Sequence, residues 1–321
     1  MRMVTANYTS SQQAPRTAFK YEQKYQPSTT GSMFIDDFSA WFSSEFTPIG
    51  LRSDSNFYTI YPEDASLTKL LWFNGRFNLD YNLDTIFSQI VRQLILNGRA
   101  YLEIIFFKDF ENVIKGINFV PINAKKRKND LNHYTFQAID WKNVQIEFSV
   151  ESKYIVEFDL RDLGYGRNYF RRLLKKLANL DVTKASQLTF DSRAKEYFNF
   201  KEYVKITEYD LLKFTNNVHW LGRNYSNQHL SESYLLYRKI KFKILRYEFL
   251  KYILEQINCG LDRLKEEWGF TGNIGISFRF LYKGIIIKHN KTEPTYTKTS
   301  LFLCEKRRFF MGRTEKGGKV F

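Results

Sequence analysis

Cysteine is nearly absent: the 321 residues hold two, Cys259 and Cys304. Two thiols allow at most one bridge, so no disulfide framework holds this fold, and the count fits a reducing compartment. Those cysteines and four histidines show no zinc-ligand spacing. A phosphate-binding P-loop is missing as well. Gly317 to Lys319 reads GGK, without the first glycine of that loop or its closing hydroxyl. LGYGRN, Leu163 to Asn168, contains a GxG but no third glycine and no βαβ setting, and reads as a turn. His219, in HWLGR, lacks the spacing of a recombinase HxxR and reads as a loop or core histidine. Asp36 with Asp37, and Asp140 with Glu147, are not followed by the lysine that a nuclease centre needs, so they read as solvated or structural carboxylates. No apolar run reaches the roughly 18 to 20 residues of a membrane span, and the N-terminal stretch lacks a signal peptide's apolar segment. The expectation is a soluble, intracellular chain that is not an enzyme and needs no metal or cofactor.

What the chain has is positive charge and aromatic rings. Lys and Arg number 49 against 34 Asp and Glu, a formal charge of +15. Such a balance favours polyanions, nucleic acid first and an anionic membrane face second. The competing explanation is coding bias, because an AT-rich genome inflates Lys, Asn, Tyr, Phe and Ile together. With 43% hydrophobic and 17% aromatic residues the chain can bury a large core, which excludes wholesale disorder. Three basic clusters stand out: Lys125, Lys126 and Arg127; Arg171, Arg172, Lys175 and Lys176; and Arg238, Lys239, Lys241, Lys243 and Arg246. Tyr169, Phe170 and Tyr237 sit among them. These cations are the candidate DNA contacts, binding phosphate by counterion release without reading sequence, with aromatics available for stacking on exposed bases.

The periodicity divides the chain into four parts: a flexible, polar arm over residues 1–32, an α+β domain over 33–230, a long basic helix over 231–258, and a β-rich region over 259–321. Phe34 to Phe46 reads as a short helix or docking segment. Helical spacing then predicts helices over Ser66 to Phe77 and Leu83 to Leu96, with Asn82 as cap and Gly98 as stop. From Arg99 the period becomes that of a strand: Arg99 to Lys108 and Val113 to Ile122 form a hairpin, and a basic loop, Ala124 to Asp130, follows it. Tyr134 to Ala138, Val144 to Val150 and Tyr154 to Asp159 continue as a meandering antiparallel sheet. Tyr169 to Leu180 is a basic helix, Leu188 to Leu212 is mixed, and Phe214 to Leu230 is a loop. Strands are predicted within Trp268 to Phe280 and Leu281 to Lys288.

One stretch organises the rest. Ser231 to Asn258 has no Pro or Gly. Leu236, Ile240, Ile244, Leu250, Ile253, Leu254 and Ile257 can lie along one broad face. Ser231 is placed to cap this helix and Gly260 to end it. Its apolar seam and basic flank suit a helix that crosses a domain or lines a polyanion path.

The order of these segments resembles that of tailed-phage portal proteins. LILNG followed by RAYLEIIFF, a turn and VIKGINFVPI (Leu94 to Ile122) is similar to the portal helix, strand and return strand. FDLRDLGYGRNYFRRLLKKL (Phe158 to Leu177) is similar to the portal's extended segment, glycine turn and helix. HWLGRNYSNQHLSES leading into Tyr234 to Ile257, then EEWGFTGNIGI (Glu266 to Ile276), is similar to the long helix and the strand after it. The resemblance covers roughly Ser66 to Ile276. It implies a structural protein of a capsid vertex, in the virion or host cytoplasm. The homo-oligomer is a ring, commonly of twelve subunits, with double-stranded DNA passing through non-specifically, and its partners are terminase, capsid and head-completion proteins. The alternative is a plasmid or phage DNA-binding protein of replication or a nuclease accessory.

Overall fold

The computed structural model describes residues 4–5, 26–46, 57–61, 79–108, 114–130, 132–139, 143–188, 208–223, 230–268 and 275–278. In chain order the strands are β1 (Val4–Thr5), β2 (Tyr58–Tyr61), β3 (Arg99–Lys108), β4 (Ile114–Pro121), β5 (Lys125–Asn129), β6 (His133–Ile139), β7 (Gln145–Glu151), β8 (Ile155–Asp159) and β9 (Gly275–Phe278). The helices are α1 (Thr29–Phe38), α2 (Phe42–Phe46), α3 (Leu79–Asn97), α4 (Tyr169–Leu188), α5 (208–214) and α6 (Glu232–Arg263). Antiparallel sheets packed against helices make the class α+β, as the periodicity indicates.

β3 is the hub of the main sheet. Its aromatic and β-branched residues suit a strand buried on both faces. One edge pairs with β4 (Leu102 opposite Pro121) and the other with β8 (Arg99 opposite Asp159); at its end β3 also pairs in parallel with β1. The expected single meander is in fact split, because β5, β6 and β7 form a separate three-stranded sheet. The predicted basic loop is therefore wrong: Lys125–Asn129 is a strand, with Lys126 opposite Phe136. Lys126 lays its aliphatic stem inward and its ammonium 4.3 Å from the Tyr134 ring centre, while Lys125 and Arg127 point outward. Long cationic side chains can cover apolar surface in this way, so a charged run is no bar to a strand.

α3 buries Leu83, Phe87, Ile90, Val91 and Leu94. It starts earlier than predicted, so Asn82 lies within it rather than capping it. Gly98 does end it, at φ 74°, and a Cβ there would lie 2.4 Å from the Arg167 carbonyl oxygen. Only glycine fits such a place. At the other end of α3, Asp80 accepts the amides of Phe57 and Tyr58, fixing β2. Buried Asp84 accepts from the Ser43 amide, the Ser43 hydroxyl and the Tyr58 hydroxyl, which holds α2 against α3. α1 begins inside the stretch read as a flexible arm, capped by Ser28, and Asp181 of α4 accepts from Thr30. Rings of Phe34, Phe38, Phe170 and Phe249 meet beneath it at centroid distances of 5.0 to 6.1 Å.

α6 has 32 residues and starts at the predicted Ser231 cap, whose hydroxyl accepts from Tyr234. Its far end corrects the prediction. Gly260 is inside the helix, not after it, and is buried. A Cβ on Gly260 would lie 2.6 Å from Val156 Cγ2 and 3.0 Å from Ile104 Cδ1, so the missing side chain lets α6 settle onto β3 and β8. Asn258 extends the ribbon of β2 and β9 sideways: its amide oxygen accepts from Ile276 N and its nitrogen donates to Ile276 O. The predicted apolar face is buried only in the second half of α6. Leu250, Ile253, Leu254 and Ile257 are in the core, whereas Leu236 is 58% exposed and Ile240 38%. The sequence expectations for Ser66 to Phe77 and Leu281 to Lys288 lie outside the described residues.

Gly260→Ala should gain helix propensity, about 1 kcal/mol, yet lose more to the methyl pressed on the stiff Val156. Urea unfolding should show a net loss of about 1 to 2 kcal/mol. Val156→Ala should cost less in the Gly260→Ala background than in wild type, as a double-mutant cycle would show.

Candidate functional site

The three basic clusters have different fates in the fold. In the third, Arg238 and Arg246 are buried, 1% and 3% exposed. Arg238 donates to the carbonyls of Leu212, Thr215 and Trp220 and to the Thr215 hydroxyl, closing the C-terminal end of α5. Arg246 donates to the carbonyls of Phe38 and Ala40 at the end of α1 and pairs with Glu45, with its guanidinium 4.8 Å from the Phe42 ring centre. Burial pulls the Arg246 pKa down to about 10. Helix ends expose carbonyls that have no partner in the helix, and these two arginines supply one. Neither can reach a phosphate outside the protein, which removes both from the candidate DNA contacts. Lys239 and Lys241 stay exposed on α6, and Lys243 sits 3.8 Å from Glu45.

In the second cluster Arg172, Lys175 and Lys176 are exposed along one side of α4, and Arg171 is half-buried. From the first cluster a charge network absent from the sequence reading runs towards the start of α4. Lys126 Nζ lies 3.7 Å from Glu157, and Arg99 Nε lies 3.7 Å from the same carboxylate and 3.0 Å from Asp159. Asp159 also receives Arg161 at 3.0 Å and Arg167 at 2.7 Å. The Arg172 guanidinium is 3.8 Å from where a Cβ of Gly166 would be, next to Arg167. Two carboxylates thus serve four cations, and Lys125, Arg127 and Arg172 extend the band to either side.

The fold fixes this arrangement from behind. Tyr252 of α6 accepts the Asp159 amide at 3.0 Å and donates to Asp162 at 2.7 Å. The Asp159 carboxylate also accepts Arg161 N, which caps the short 3-10 turn Leu160–Leu163, and Gly164 closes that turn at φ 80°. LGYGRN is thus the turn the sequence indicates, and it sets Arg161 and Arg167 around one acid. Burial pushes the Asp159 pKa up, but hydrogen bonds from Arg161 and Arg99 outweigh it and leave the group below its ordinary value. Burial, opposed by Glu157, lowers Lys126. Burial, reinforced by Glu157, raises Tyr101.

Beside this wall opens a cavity of about 390 Å3, bounded by the end of α3, the start of β3 and β5. Gln93, Asn97, Arg99, Tyr101, Lys125, Lys126 and Arg127 are among its lining residues. Sequence reasoning missed Arg99, Arg161, Arg167, Gln93 and Asn97. The usable signal was that arginines flank the two glycine turns, in GR at 98–99 and RDLGYGR at 161–167.

Asp140, read as a pair with Glu147, lies outside the described residues; Asp36, Asp37 and His219 have structural work. Asp36 pairs with Arg92, and Asp37 accepts from Trp220 and Arg223. His219 sits at φ 59° with its ring edge on Tyr237, and burial, Arg238 and Lys241 hold its pKa down. Among the described residues no group of His, Cys, Asp and Glu is arranged to hold a metal. No helix among them is long and apolar enough to cross a membrane. No family model and no curated protein matches the chain.

The Asp159 pKa is below its unfolded value, so the stability it contributes is present above the ordinary carboxylate pKa of about 3.9. That stability is lost as pH falls through the lower, folded value. Asp159→Asn should cost about 2 kcal/mol at neutral pH. In urea titrations the gap to wild type should close in acid.

Proposed function

We propose that this chain is a portal-like structural protein of a phage or prophage capsid vertex, closing as a ring through which double-stranded DNA is packaged and ejected. The observation that carries this reading is the first half of α6. Leu236 (58% exposed), Tyr237 (49%) and Ile240 (38%) stand exposed on it between Lys239 and Lys241. Burying one such side chain is worth about 1.5 to 3 kcal/mol, so a neighbouring copy laid on this face would gain several of them at once. In a ring the same face meets a different face of the next copy, and repetition closes the circle.

The order of elements supports the reading too. α3 closes on Gly98, β3 and β4 return as a hairpin ending at Pro121, and a glycine turn leads into α4. The long α6 is then followed by β9. This is the succession on which the resemblance to portals rests. The exposed cations Lys125, Arg127, Arg172, Lys175, Lys176, Lys239 and Lys241 are suited to sequence-blind phosphate contact. On this reading the protein works by shape and assembly, without bond-making. Its partners are then duplex DNA, further copies of itself, and the terminase, capsid and head-completion proteins.

Light scattering of the purified protein should give a mass of many subunits, with Leu236→Glu/Ile240→Glu reduced to the protomer. Duplex binding should be independent of sequence and weaken steeply with salt. A wild-type protomer at high concentration would overturn the ring. Preference for one DNA site by a monomer or dimer would favour a replication or nuclease-accessory role instead.

A further inference from the structure

We propose that the cavity between α3 and β5 is a binding site for a nucleoside monophosphate, either free or as the terminal nucleotide of a strand. The cavity is separate from the exposed face of α6, and its volume of about 390 Å3 lies in the range of small-ligand sites, about 300 to 1,000 Å3. Its walls differ in chemistry. One is cationic: Arg99 and Lys126 are held in place by Glu157, with Lys125 and Arg127 at the rim. The other is the last turn of α3, which contributes the amides of Gln93 and Asn97.

The cations are fixed before any ligand arrives. Arg99 is gripped by Asp159 as well as Glu157, and Lys126 lies over the rings of Tyr134 and Tyr101 at 4.3 and 5.5 Å. Glu157 and Asp159 between them also serve Arg161 and Arg167 through Asp159, so the two acids do not neutralise the wall. A phosphate dianion is the compact charge that such a wall accepts, since guanidinium and ammonium groups donate to its oxygens directly. A carboxamide presents a donor and an acceptor side by side, as the hydrogen-bonding edge of a base does. Phosphate on Arg99, Lys126 and the rim, with base or sugar towards Gln93 and Asn97, fills both walls at once.

The site does not depend on ring assembly. Titration calorimetry of the full chain with AMP, and separately with inorganic phosphate, tests it. AMP should bind with one site per chain and at least tenfold tighter than phosphate. Gln93→Glu, on the helix surface, should weaken AMP at least tenfold while leaving the melting temperature unchanged. Lys125→Glu/Arg127→Glu should do the same through the rim. A duplex with a 5′-phosphate end should compete with AMP, and a blunt unphosphorylated duplex should not, if the strand terminus is the source; free nucleotide is the source if neither competes. No AMP binding, equal binding of AMP and phosphate, or AMP binding untouched by both variants would overturn the site. None of these outcomes bears on the mass measured by light scattering.

Discussion

The length of α6 constrains everything around it. At about 1.5 Å per residue its 32 residues span roughly 48 Å, longer than the sheet and helices on which it rests. Its second half is wrapped by β8, β9 and α3, where Gly260 permits close approach and Asn258 ties in the β2–β9 ribbon. Its first half meets the body along one edge, through Arg238 on residues 212–220 and Phe242 against Phe38. On the opposite edge Leu236, Tyr237 and Ile240 remain partly exposed. A helix built this way is stable as part of a domain and leaves a face for a second surface.

Among the described residues the cations differ in their physics. Arg238 and Arg246 are interior cations whose main partners are backbone carbonyls at helix ends. Taking a guanidinium out of water is costly, and removing its partners is costlier still, so these two arginines fix the positions of α1 and α5 relative to α6. The exposed cations are cheap to keep and screened by salt. Between the two lies the network on Asp159 and Glu157, in which Arg99, Arg167 and Lys126 are half-buried and Arg161 is exposed, all held at defined distances. Within this group Arg99 and Lys126 are held by acids and also line the cavity beside α3.

Periodicity made the α+β class, the β3–β4 hairpin and the Ser231 cap legible, because each is a local pattern with a local cause. Two mistakes share one origin. Lys125–Asn129 looked like a loop because its residues are charged, but strand pairing to β6 and the stems of the lysines decided otherwise. Gly260 looked like a stop because glycine usually ends helices, but here the absence of a side chain serves packing on Val156 and Ile104. In both places a long-range contact overrode a local preference. The same holds for the cationic wall, whose members at 99, 126, 157, 159, 161 and 167 meet only after β3, β5 and β8 are placed. Which arginines would be buried was not legible for the same reason: Arg238 and Lys239 are neighbours in sequence, and only Arg238 faces carbonyls.

On the proposed function, the first half of α6 finds its partner on another copy of the chain. Amide hydrogen exchange over residues 232–244, followed across protein concentration, tests this most directly. Protection there should rise with concentration while that of residues 249–261 stays constant. Equal protection of both halves at every concentration would contradict the claim.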